Sequence, residues 1–199
     1  MRVFILGLLL PLLAAGCTYN VPVTASTASA AAVAGTPRNE TPISYALTPE
    51  LAALKGDADQ VYVCSAHAYP IDAGPAIADS IEAVNDAAFA HVVPANGQAI
   101  GAGAIRHILL ALEDFTAKLS FEMGWWSGTA HSDVSLKMRA TVTDAAGAVL
   151  LDTPLAGVGF GKEGGDCDAG AQALSKAANQ AIEAMTKDYI VRVVKSGLI

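Results

Sequence analysis

The chain has 199 residues, 53% of them hydrophobic and only 16% charged, with 19 acidic side chains against 12 basic ones and a formal net charge of −7. That length suits one domain, or one domain with a tail. The acidic balance gives no electrostatic footprint for nucleic acid or for anionic lipid surfaces, so neither is an expected partner on charge grounds.

The chain opens MRVFILGLLLPLLAAGC. Arg2 precedes an apolar run from Val3 to Leu13, and the small residues Ala14, Ala15 and Gly16 lead into Cys17. A charged start, a short apolar core and a small-residue cleavage site make a secretory signal. The run is about half of the roughly 20 residues that a helix needs to span a bilayer, so removal is expected for residues 1–16. Ala14-Ala15-Gly16-Cys17 resembles the bacterial lipobox, with Ala14 where that pattern usually has Leu. The resemblance implies a diacylglyceryl group on the Cys17 thiol, cleavage before Cys17 and acylation of the new amine. Two or more acyl chains anchor a protein stably, at about 0.8 kcal/mol per buried methylene. Thr18 rather than Asp follows the cysteine. By the enteric sorting rule this implies the periplasmic side of the outer membrane, with the inner membrane as the alternative.

Residues 18–42 are rich in small residues, Ser, Thr and Pro and show no apolar period. Residues 17–56 are therefore expected to form a lipid-anchored flexible tether, its roughly 25 disordered residues reaching about 25–30 Å. Thr48, Pro49, Leu51 and Leu54 suggest a short helical turn before Gly56. Residues 60–69, QVYVCSAHAY, are rich in β-formers and bounded by Asp59 and Pro70, which predicts a strand carrying Cys64. From Pro75 the period changes: Ile77, Ile81, Val84, Ala88 and Val92 recur at spacings of three and four, which predicts a helix ended by Pro94 and Asn96-Gly97.

A Gly/Ala loop from Gly97 to Gly103 leads into a long β-rich stretch, read as two strands, 105–115 and 116–126. Residues 131–143 alternate most clearly, with Val134, Leu136, Met138, Ala140 and Val142 facing in and Ser135, Lys137, Arg139 and Thr141 facing water. Asp144 to Gly147 makes a hairpin turn, and residues 148–160 return as a partner strand that Pro154 places at an edge or bulge. Gly157-Val158-Gly159-Phe160-Gly161 reads as a strand end, and Gly161 to Gly170 as an acidic loop holding Cys167. The last element, 171–194, is a helix with the stripe Leu174, Ala178, Ala181, Ile182, Met185, Tyr189 and Val193.

These elements give the order β-α-β-β-β-β-α. The predicted fold is a single α+β periplasmic domain over 57–199: two layers, a mainly antiparallel sheet with two amphipathic helices on one face. Cys64 and Cys167 are the two cysteines left after lipidation, and in an oxidising compartment they are read as a disulfide, with two buried thiols as the alternative. The order of elements, together with the lipobox, is similar in layout to YajG-like and transport-auxiliary envelope lipoproteins. The resemblance implies a binding or assembly role with an envelope protein as partner.

Chemistry-bearing motifs are sparse. His67, His91, His107 and His131 show no zinc-type spacing. A site assembled across strands from His67, His107 and His131 is conceivable, but scattered histidines are the simpler reading. No Gly-x-Ser-x-Gly elbow and no phosphate loop occurs. Glu113 and Asp114, adjacent on a strand, are expected on opposite faces. Glu163, Asp166 and Asp168 lack EF-hand spacing. No catalytic residue, metal or cofactor is therefore expected. Trp125 and Trp126, with Phe121 nearby, are the candidate interface, since a partly exposed Trp is a good anchor. The expected function is a non-catalytic binding or assembly role on the membrane that holds the lipid. The alternative is a periplasmic hydrolase or metal enzyme with a site built from distant residues.

Overall fold

The computed structural model describes residues 17–60, 63–93, 95, 97, 99–125 and 128–199. The signal segment, residues 1–16, and Trp126 lie outside the described residues.

Three long strands set the architecture. β6 (Arg106–Met123), β7 (Gly128–Asp144) and β8 (Val149–Gly165) form an antiparallel meander. β7 alternates as its sequence predicts, with Val134, Leu136, Met138, Ala140 and Val142 buried on one face. The β7–β8 turn closes as expected: Asp144 Oδ1 accepts from the N–H groups of Ala146 and Ala148, and Gly147 takes φ +84°, where a side chain is disfavoured.

The stretches read as two strands before the hairpin are one strand with a bulge. Leu112 pairs with Met138 and Asp114 with Lys137, so Glu113 is the extra residue. The bulge shifts the buried parity from Ile108 and Leu110 to Ala117 and Leu119. It also turns Glu113 and Asp114 to the same outer face, where Glu113 meets Arg139 at 2.6 Å and Asp114 meets Lys137 at 3.3 Å. Opposite faces, expected for an unbroken strand, are thereby overturned.

Residues 17–56, expected as a tether, pack onto the domain. β1 (Ile43–Leu47) lies inside the sheet, parallel to both β5 (Val92–Val93) and β6. The strand order is β5-β1-β6-β7-β8. Helix α1 (Thr27–Ala34) buries Ser29 and Val33 against the other helices. Its packed face is made of alanines, Val33 and Ser29, which allow close approach without an obvious hydrophobic period. Thr48 and Pro49 start the short α2 (Pro49–Ala52).

The predicted strand over 60–69 is also corrected. The short β3 (Asp59–Gln60) pairs with β6, then residues 63–66 turn, with Cys64 at φ +62°, before β4 (Pro70–Asp72) pairs with β2 (Lys55–Asp57). Cys64 is joined to Cys167 in a disulfide, and that corner takes the place of a continuous strand. Residues 61 and 62 lie outside the described residues.

Helices α3 (Gly74–Ala88) and α4 (Asp168–Tyr189), the latter continued by a π-turn Ile190–Val194, lie on one face of the sheet. Ile77, Ile81 and Val84 on α3 and Leu174, Ala178, Ile182, Met185 and Tyr189 on α4 are fully or almost fully buried. Burial of side chains of this kind contributes roughly 1.5–3 kcal/mol each for the larger ones. The two-layer α+β class is the observed one, with a mixed rather than purely antiparallel sheet.

The run Gly157-Val158-Gly159-Phe160-Gly161 sits in mid-strand, not at a strand end. A Cβ at Gly157, Gly159 or Gly161 would lie 1.9, 2.0 or 1.9 Å from the carbonyl oxygens of Ala181, Ala177 or Ala173. Backbone of α4 thus rests directly on β8. The expected loop from 161 to 170 shrinks to the two residues between β8 and α4. Gly159→Ala is expected to cost at least about 3 kcal/mol or to prevent folding, since neither backbone can yield a whole atom's width. Gly164→Ala, where a Cβ meets nothing within 4 Å, is expected to stay within about 0.5 kcal/mol of the parent. Urea unfolding of both variants checks the contrast.

Candidate functional site

One end of the domain gathers the features singled out from sequence. Phe121 and Met123, at the end of β6, line a recess of about 230 Å³ with Val63, Gly128 and the disulfide pair Cys64 and Cys167. Met123 is 68% exposed and Trp125 88% exposed, whereas the neighbouring Leu119 is buried. The parity set by the bulge keeps Phe121 partly buried against Gly170 at the start of α4 and carries Met123 beyond it into solvent. Of the candidate interface residues, Phe121 and Trp125 fall at this tip and Trp126 lies outside the described residues.

The disulfide corner is braced from several sides. Cys64 and Cys167 have Cα atoms 5.6 Å apart. The Tyr69 hydroxyl donates to the Cys167 carbonyl at 2.5 Å. Tyr19 stacks on Tyr69 with ring centres 5.5 Å apart, and His67 meets the Tyr19 ring edge-on. Burial pushes the Tyr69 hydroxyl from its ordinary 10.0 up to about 12, and Tyr19 and Asp168 act in the same direction. Cys17 is a free, exposed thiol, and its carbonyl accepts from the Ala68 N–H at 3.2 Å.

The histidines are not brought together. His107 pairs with Thr143 near one end of the β6–β7 ladder and His131 with Ser120 near the other, roughly 40 Å apart at about 3.3 Å per residue. Among the described residues no group of three His, Cys, Asp or Glu side chains is placed to hold a metal. His91 lies 3.5 Å from Glu40 and His131 lies 3.2 Å from Glu122. Glu163 pairs with Lys176, while Asp168 opens α4.

Sequence reasoning missed one polar contact. Ser44 Oγ is hydrogen-bonded to His107 Nδ1 at 2.8 Å and accepts from the Gly101 N–H at 3.0 Å. Both side chains are buried. The residues face each other because β1 pairs with β6 in register, Ser44 opposite His107. No local motif could reveal this, since the two are 63 positions apart. The contact ties β1, β6 and the 99–104 loop together.

A larger open recess of about 420 Å³ lies between β1, β5 and α3 beside Tyr45, Glu82 and Asp86. Burial, and then the two carboxylates, push the Tyr45 hydroxyl up to about 12. No helix among the described residues is long and apolar enough to cross a membrane.

No family model matches the sequence, and no curated protein matches it. Among solved structures the chain is similar to protein XCC0632 from Xanthomonas campestris, described by the family model DUF330. The TM-score is 0.50 at 12% identity, over 92% of this chain and 100% of that one. At this identity the likeness shows the fold alone.

Two outcomes are expected at this end of the domain. Replacing the disulfide (Cys64→Ala with Cys167→Ala) opens a loop spanning 103 positions and costs about 4–5 kcal/mol in urea unfolding, by the chain-entropy model. Tyr69 and Tyr45 keep their protons in the folded state up to about pH 12, while unfolded tyrosine loses its proton near pH 10. Native protein therefore binds more protons between these values. Stability is unaffected by these groups below pH 10 and falls as pH rises from 10 toward about 12. Tyr69→Phe flattens that fall, as read from unfolding midpoints across the alkaline range.

Proposed function

We propose that the chain is an envelope lipoprotein, anchored through lipid on Cys17 at the periplasmic side of the outer membrane, whose domain acts by binding and not by catalysis. The observation that carries the binding role is the apolar recess at the hairpin tip, with Met123 and Trp125 exposed beside it. Large apolar side chains grouped in the open are the usual anchors of an interface. The lipobox-like end supports the anchored reading. The likeness to XCC0632 adds the fold and no activity.

A hydrolase is the second reading, favoured by the contact between Ser44 and His107 at 2.8 Å. Against it, Ser44 Oγ is enclosed and already holds the Gly101 N–H. A substrate would reach it only by displacing that loop.

Three measurements separate these readings. The N-terminal peptide of the protein from bacterial membranes is expected to carry diacylglyceryl and acyl mass on Cys17, and Cys17→Ser to release the chain as soluble protein. Crosslinking in living cells is expected to yield contacts at the envelope that weaken in Trp125→Ala. A fluorophosphonate probe is expected to leave Ser44 unmodified; labelling that disappears in His107→Ala would favour the hydrolase.

A further inference from the structure

The mature N-terminus is docked, and it is docked beside the apolar tip. Ala68 N–H donates to the Cys17 carbonyl at 3.2 Å, Tyr19 N–H to the Ala68 carbonyl at 2.9 Å, and Val21 N–H to the Pro70 carbonyl at 3.2 Å. The Tyr19 ring lies on Tyr69, whose hydroxyl bonds to Cys167. Cys167 and Cys64 in turn form one wall of the recess completed by Phe121 and Met123. Two residues of extended chain span at most about 7 Å, so Cys17 stays close to this corner.

From that juxtaposition we infer that the hairpin tip, Met123 and Trp125 above all, rests in the headgroup region of the bilayer that holds the Cys17 lipid. The inference rests on lipidation of Cys17 as proposed above. A docked anchor leaves no slack: the end of the domain that carries Cys17 faces the membrane, and the exposed apolar side chains at that end face it too. Trp is the residue type that settles at a membrane–water boundary, with an apolar ring and one polar N–H. The net charge of −7 supplies no attraction to anionic lipid. Insertion of apolar side chains is the interaction this end offers. Met123 and Trp125 suffice as a second contact beside a lipid anchor.

The chain has two tryptophans, Trp125 and Trp126, of which Trp125 reports on this tip. In a Trp126→Phe background Trp125 is the sole emitter. Natively lipidated protein is reconstituted into phosphatidylcholine vesicles containing lipids with a nitroxide at a shallow or a mid-chain position. The expected result is a shift to shorter wavelength relative to soluble Cys17→Ser protein. More than half of the emission should be lost to the shallow nitroxide, and less to the deep one. Met123→Asp is expected to reverse most of both effects while the protein still floats with the vesicles. Emission that stays at the water-exposed wavelength, unquenched, in protein that floats with the vesicles overturns the inference and leaves the lipoprotein reading standing. An unmodified Cys17 by mass spectrometry overturns both.

Discussion

Helix α4 lies so close to β8 that no side chain fits between them along the strand's centre. Gly157, Gly159 and Gly161 face Ala181, Ala177 and Ala173, and the separation leaves room for hydrogen where a Cβ would otherwise stand. The period of two on the strand meets the period of four on the helix, so each glycine finds the next turn's carbonyl. This contact fixes the height of α4 above the sheet. It also fixes its direction along the strand, because all three glycines must be matched at once. The neighbouring apolar stripe on α4 then falls onto the inward face of β7, and Tyr189 reaches Asn85 on α3 at 2.7 Å. The position of the second helix thus follows from that of the first.

The same contact manages the edge of the sheet. β8 is an edge strand of 17 residues, long enough to recruit another strand if left bare. Two of its outward N–H groups are taken up from α4: Ala156 donates to Asp188 at 3.1 Å and Phe160 to Gln180 at 3.2 Å. Pro154 contributes no donor on this strand. One helix therefore covers the sheet face and occupies the middle of its margin. The opposite face of the meander carries Glu113, Arg139 and Asp152 as a linked set, with Arg139 2.6 and 3.2 Å from its two partners. Being exposed, these pairs add little stability; their net effect is to keep that face soluble.

The readable parts of the sequence were those with a strict local period. Alternation along β7, the stripe on α4, the periodic part of α3 and the Asp144–Gly147 turn are each set by neighbours within a few positions. The disulfide is readable as a pairing of the two cysteines other than Cys17, whereas its corner has the composition of a strand. β1 escaped because Ile43–Leu47 is short and its partners lie far along the chain. α1 escaped because a helix packed through alanine and serine has almost no hydrophobic contrast. The bulge at Glu113 escaped because an extra residue looks like the end of one strand and the start of another. The glycine run held the signal that was missed: glycine at every second position of a strand, followed by a helix with alanine at 173, 177 and 181, marks backbone-to-backbone packing. Of the candidate site, Phe121 and Trp125 were visible as residues. Their nearness to Cys17 and to the disulfide was not, because it depends on contacts between segments that are far apart in the chain.

A tether and a docked segment would make different proteins from the same end, were it lipidated as proposed. A loose linker of about 25 residues lets a domain rotate freely at some 25–30 Å from the bilayer, and its surface then has no preferred face toward lipid. Here residues 18–21 bridge to 68–71, Ser175 holds the Pro22 carbonyl at 2.6 Å and Thr24 is held by Asn179 at 2.9 Å. Each link costs chain entropy that hydrogen bonding, ring contacts or core burial must offset. Val21 and Val33 bury apolar surface, but the segment 17–20 is bound mainly by backbone hydrogen bonds and one aromatic stack, a modest gain in burial. What that segment does achieve is to hold Cys17 at the disulfide corner. The ordering of residues 17–20 therefore matters more for where it places Cys17, the proposed anchor, than for how much it stabilises the fold.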